Sequence, residues 1–101
     1  RKMVSNMINK PKPDYKYFRC ISPSWDNSAR RKKNAAILFG STPQLFGYWA
    51  KKMKDYSDKN LPADEKLLFI NAWNEWGEGC HLEPDEKWGF AYLQALKDNT
   101  A

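Results

Sequence analysis

Two cysteines, Cys20 and Cys80, and one histidine, His81, are the chain's whole supply of thiol and imidazole groups. Neither cysteine sits in a CxxC pair or a metal-spaced Cys/His set, so a disulfide scaffold and a structural zinc site are both excluded, and two free thiols in a reducing, cytoplasmic setting are the default. No stretch approaches the ~20 consecutive apolar residues of a membrane span. Glycine is sparse, at five residues. None of it forms a phosphate-cradling loop, so no nucleotide site is legible and no cofactor is expected. No internal repeat is strong enough to name.

What is present suits a globular core. Hydrophobic residues make up 42% and aromatics 15%, enough for a core. The formal charge of +5 gathers in Arg30-Arg31-Lys32-Lys33 and Lys51-Lys52-Met53-Lys54. The lysines of the second group fall on the polar side of an expected helix and no nucleic-acid motif accompanies either group, so both read as solvated faces and no nucleic-acid partner is expected.

Along the chain, Met3, Val4, Met7 and Ile8 recur at helical spacing, and Pro11 and Pro13 close that element. Tyr15 to Ser22 reads as a strand, stopped by Pro23. A long loop follows, with a short apolar segment at residues 35–39. Ser41-Thr42-Pro43 is a helix start, a hydroxyl capping free amides ahead of a proline in the first turn. The helix is expected to run to about Tyr56, with Leu45, Phe46, Trp49, Met53 and Tyr56 forming the face that lies on a sheet. A second strand is expected over Lys66 to Trp73, and a last helix from about Asp85 or Lys87 to Lys97, its acidic start and Lys97 suiting the helix dipole. The order describes two βα units, and right-handed crossovers make their strands parallel and adjacent. The loops 23–40 and 74–86 then rise from one face.

The second of those loops carries the chemistry. Asn74-Glu75-Trp76-Gly77-Glu78-Gly79 sets two carboxylates three residues apart, directly after the apolar run Leu67-Leu68-Phe69-Ile70. In α/β proteins active-site groups sit at the carboxyl ends of strands. Strand alternation puts Leu67, Phe69, Asn71, Trp73 and Glu75 on one side, so an amide, an indole and a carboxylate share that side's polar end. Trp73 and Trp76 offer flat faces of the kind on which sugar rings stack, and Gly77 and Gly79 permit a tight turn. In a turn, residues i and i+3 come within about 5–6 Å at Cβ, near the ~5–5.5 Å carboxyl separation of retaining glycosidases. His81, Glu83 and Asp85 lie on one side of an extended segment but lack the further donors of a metal site, so no metal is expected. Trp25, Asp26, Asn27 and Arg30 of the first loop are expected beside Glu75 and Glu78, although Asp26 and Asn27 equally suit a local turn and Arg30 suits an ion pair holding the loop.

The segment from Phe69 to Asp85, with Trp88 to Lys97 behind it and Ser22 to Arg30 and Gly40-Ser-Thr-Pro43 ahead of it, resembles the C-terminal part of the WbsX-type polysaccharide-biosynthesis proteins, related to glycoside hydrolase family 99. The resemblance covers about Tyr17 to Lys97 and implies a (β/α)8 TIM-like barrel. Such a barrel needs about 250 residues, so residues 1–101, opening on Arg1 and ending after the last expected helix, read as its C-terminal two βα units, with the rest of the barrel as their partner. It implies action on an oligo- or polysaccharide by a paired-Glu retaining mechanism. Glu75 helps the sugar 2-hydroxyl attack its own anomeric carbon, and Glu78 is general acid and then base. Substrate contacts are expected from Trp25, Asp26, Asn27, Arg30, Asn71, Trp73, Asn74, Trp76, His81 and Glu83. Gly77 replaces a larger residue often present in the hydrolases. Hydrolysis and transfer both remain open, and a non-catalytic carbohydrate-binding or assembly module is the second reading.

Overall fold

The computed structural model describes residues 2–29, 31, 33–38 and 40–101. Its elements, in chain order, are α1 (Lys2–Ile8), β1 (Arg19–Ile21), α2 (Pro43–Asn60), β2 (Leu68–Ile70), the pair β3 (Asn74–Glu75) and β4 (Cys80–His81) with one 3₁₀ turn (Trp76–Glu78) between them, and α3 (Ala91–Thr100).

β1 and β2 pair in parallel, Arg19 opposite Leu68, Cys20 opposite Phe69 and Ile21 opposite Ile70, with α2 as the crossover. This is the predicted βαβ connection, but both strands are shorter than their sequence runs. At the lower end the Leu67 amide donates to Glu65 O, so it is lost to the ladder. At the upper end the Asn71 amide still donates to Ile21 O at 2.9 Å. The Asn71–Ala72 peptide is cis. Beyond it Trp73 O accepts from the amides of Leu82 and Glu83, so the chain changes partner from β1 to its own return segment.

α2 begins as its sequence dictates. The Thr42 hydroxyl accepts the Leu45 amide at 3.1 Å and Pro43 occupies the first turn. The helix runs four residues past Tyr56, to Asn60, helped by the Lys54–Asp58 pair at 2.7 Å. Such an exposed i,i+4 pair contributes a few tenths of a kcal/mol. Ser57, buried, reaches Leu67 O at 3.4 Å and ties the helix end to the approach to β2. Phe46, Trp49, Ala50 and Met53 form the buried stripe, joined by Val4, Ile21, Leu82 and Tyr92 in one core. α3 lies against α2, where Gly47 leaves room for the Asn99 side chain.

α3 starts at Ala91, later than its pattern predicts. Asp85 bonds the Trp88 amide at 2.6 Å, Gly89 takes a positive φ of 55° and its amide returns to Asp85 O at 2.8 Å, so residues 85–89 close a separate turn. The acidic residues expected at the helix start therefore precede it, and the first turn of α3 holds none.

One buried cation was not anticipated. Arg19, 3% exposed, donates to Lys10 O at 3.0 Å and lies between the rings of Tyr17 and Tyr56, 5.0 and 4.3 Å from their centroids. Such cation–π contacts are strongest when desolvated. On the other face of the sheet Leu67 and Phe69 are each about half exposed, Phe69 meeting Phe18 edge-on.

Replacing Trp49, 4% exposed on the core side of α2, with Ala should cost about 3–5 kcal/mol. Lys51→Ala, on the solvated side, should stay within ~0.5 kcal/mol. Denaturant titration of the intact protein checks both.

A candidate carbohydrate site built on two clasped loops

Both loops leave the upper ends of β1 and β2 and are fastened together there. The carbonyls of Glu78 and Gly79, consecutive in the chain, accept from the Asp26 amide at 2.8 Å and the Ser24 hydroxyl at 2.6 Å. Gly79 is required twice over. Its φ is +58°, and a Cβ there would stand 2.9 Å from Asp26 O and from Asp26 Cβ. Non-glycine residues pay for that conformation sterically, and no side chain fits between the two backbones.

Beneath the clasp Cys80 is fully buried. Its thiol donates to Asn71 O at 2.7 Å and touches the Ser22 hydroxyl at 3.2 Å, while its backbone pairs with Glu75. One side chain thus joins the end of β2, the exit of β1 and the base of the carboxylate turn. Both cysteines are free thiols. Ser24 and Cys80 carried no warning in the sequence, because their roles depend on contacts 55 and 58 residues away.

Glu75 precedes the 3₁₀ turn and Glu78 ends it, with Gly79 closing the turn in the left-handed region. The expected turn between the two carboxylates is present; Glu75 is exposed and Glu78 half-buried. Asn74, in β3 opposite His81, is exposed beside them.

The first loop spends much of its polarity on itself. Asp26 Oδ1 accepts the Ser28 amide at 2.9 Å, and the Ser28 hydroxyl first and this amide second hold its carboxyl below the usual range. Asn27 is buried and its side-chain oxygen accepts the Ala36 amide at 2.7 Å, with Asp26 bridging Ile37 across the loop. Asp26 makes the local turn, while Asn27 bridges the loop to Ala36. Arg30 lies outside the described residues. Trp25 and Asn71 do come together, lining with Ser22, Met3, Ala36, Ile37 and Leu38 an open cavity of about 320 Å³.

Trp73 and Trp76 are each half exposed. Trp76 stacks on His81 with ring centroids 3.6 Å apart and planes at 14°, and its indole N–H donates to Glu83 Oε1 at 2.9 Å. His81 Nε2 is 2.8 Å from Asp85 Oδ2. The Trp88 amide first, and His81 second, hold the Asp85 carboxyl below its ordinary value. Tyr92 packs edge-on against Trp88, and burial pushes its phenol up to about 12, with the Asp85 charge adding to the rise. Among the described residues no three His, Cys, Asp or Glu side chains gather as a metal site.

The model of the family described as glycosyltransferase WbsX matches residues 1–96. The chain belongs to the WbsX glycosyltransferase family. The uncharacterized protein WxcX, from two strains of Xanthomonas campestris pv. campestris, is 35% identical over 97 residues, covering 96% of this chain. The chain spans 14% of the length of these relatives. No solved structure matches it.

Gly79→Ala in the intact protein should therefore lower stability by about 1–3 kcal/mol, the cost of a non-glycine residue in a left-handed conformation, with the overlap on Asp26 added to it. Thermal or chemical unfolding of the purified variant tests this; stability equal to the parent would mean that the two loops are not in contact.

Proposed function

We propose that the protein carrying this chain is a carbohydrate-active enzyme of cell-surface polysaccharide metabolism, and that Glu75 and Glu78 perform its chemistry. The observation that carries the reading is the single 3₁₀ turn that Glu75 enters and Glu78 ends, a few residues past the end of a parallel strand. The family membership supports a saccharide substrate. In the same reading the chain supplies the C-terminal two βα units of a (β/α)8 barrel. The half-exposed Leu67 and Phe69 then face the interior, where side chains from alternate strands fill a barrel.

The chemistry proceeds in two balanced steps. Glu75 withdraws the proton of the sugar 2-hydroxyl as its oxygen attacks the anomeric carbon, the glycosidic bond breaks, and Glu78 delivers its proton to the departing oxygen. Glu78, now a base, takes a proton from the incoming hydroxyl as that oxygen opens the three-membered ring, and Glu75 returns its proton to O2. Two displacements at one carbon retain configuration. Water as the second nucleophile gives hydrolysis and a sugar hydroxyl gives transfer; α-mannosidic linkages are the first to try. Trp73, Trp76 and Asn74 beside the turn, and the Trp25–Asn71 cavity, are the surfaces on which sugar rings would rest.

Incubating the intact protein with α-mannoside oligosaccharides, with and without nucleotide sugars, and weighing the products by mass spectrometry separates hydrolysis from transfer. On a substrate so found, Glu78→Gln should lower kcat by at least the ~10²-fold of general-acid loss while sparing the first step for substrates with good leaving groups, and Glu75→Gln should impair all of them. Near-parental turnover in either variant would remove the paired-carboxylate mechanism and leave a binding module.

A further inference from the structure

Trp76 is held from two directions, and both holds end on carboxylates. Its indole N–H is taken by Glu83 at 2.9 Å, and one ring face is covered by His81 at 3.6 Å. His81 is fixed in turn by Asp85 at 2.8 Å, and Asp85 is anchored through its other oxygen by the Trp88 amide at 2.6 Å. Half of Trp76 is still exposed. A ring clamped at its edge and on one face presents the other face in a fixed orientation, next to Glu75 and Glu78 on the same turn.

We propose that Trp76 is a one-faced stacking platform for the pyranose ring at the carboxylate turn, and that Asp85, acting through His81, is its positioning residue. The inference rests on the carbohydrate reading and adds to it a residue that touches no substrate. The chemistry of the link is specific. An ionised Asp85 only accepts, so the proton of the His81–Asp85 bond sits on Nε2, and Nδ1 of a neutral ring is left as an acceptor. That Nδ1 is buried and has no hydrogen-bond partner among the described residues. Asparagine at 85 keeps an oxygen for the Trp88 amide, but its NH₂ can only donate to His81. The imidazole must then carry its proton on Nδ1, where a buried donor meets no acceptor, and the stack beneath Trp76 loosens.

The test uses the intact protein titrated calorimetrically with an α-mannoside oligosaccharide. Asp85→Asn should weaken binding roughly two- to tenfold, the equivalent of a 0.5–1.5 kcal/mol aromatic contact, in a protein that still folds and unfolds cooperatively. Trp76→Ala should weaken it at least as much. Nitrogen NMR shifts of His81 should show the proton on Nε2 in the parent and on Nδ1 in Asp85→Asn. Unaltered affinity in both variants would overturn the platform and leave the carbohydrate reading intact, as would an Asp85→Asn protein whose His81 keeps its tautomer. A parent protein that binds neither α-mannosides nor any other oligosaccharide tried in the same titration would overturn both.

Discussion

Two hydrogen bonds, from the Ser24 hydroxyl and the Asp26 amide to the consecutive carbonyls of Gly79 and Glu78, are the constraint on which the upper half of the structure depends. The parallel ladder beneath is only three residue pairs long. A ladder that short cannot by itself orient loops of more than ten residues. The clasp does so by joining them where the carboxylate turn ends, and Gly79 admits it because nothing bulkier fits against Asp26. Cys80 fills the space below, bonded to Asn71 and touching Ser22, so that one buried side chain ties the two strand ends together.

Much of this was legible in the residues because it is local. Thr42-Pro43 with an apolar stripe at three- and four-residue steps specifies α2, and Glu75 to Gly79 specifies a turn. The parallel pairing followed from the order of elements. The strand ends were illegible because they are decided by competing acceptors: Glu65 O takes the Leu67 amide, and Trp73 O is occupied by the return segment. α3 starts late for a similar reason, since Asp85 spends its carboxylate on a closed turn instead of a helix end. Among the site residues, Trp25 and Asn71 meet in one cavity and Trp76, His81 and Glu83 meet in one cluster. Asn27 illustrates the opposite case. An amide reads the same in sequence whether it faces a ligand or its own backbone, and here it bonds Ala36.

The chemistry and the architecture fit one another physically. The two carboxylates of the proposed mechanism stand at the solvent edge, Glu75 exposed and Glu78 half-buried. Their turn is held by the buried Cys80 and by the clasp of Ser24 and Asp26 on the Glu78 and Gly79 carbonyls. Aromatic rings, Trp73 and Trp76, flank Glu75 in the chain. Their apolar faces reward contact with sugar C–H surfaces, and the Glu83 bond satisfies the indole N–H that such contact leaves unmatched. Side chains mounted on mutually bonded segments lose little order when a ligand binds, and the proposed mechanism relies on that preorganisation.

The most direct measurement is an experimentally determined structure of the intact protein with an unreactive oligosaccharide bound. The account predicts the anomeric carbon between the Glu75 and Glu78 carboxyl groups, these being about 5–5.5 Å apart as in retaining enzymes, with one sugar ring lying on the open face of Trp76. A glycan bound elsewhere, or carboxyl groups separated well beyond that range with no ring on Trp76, would contradict it.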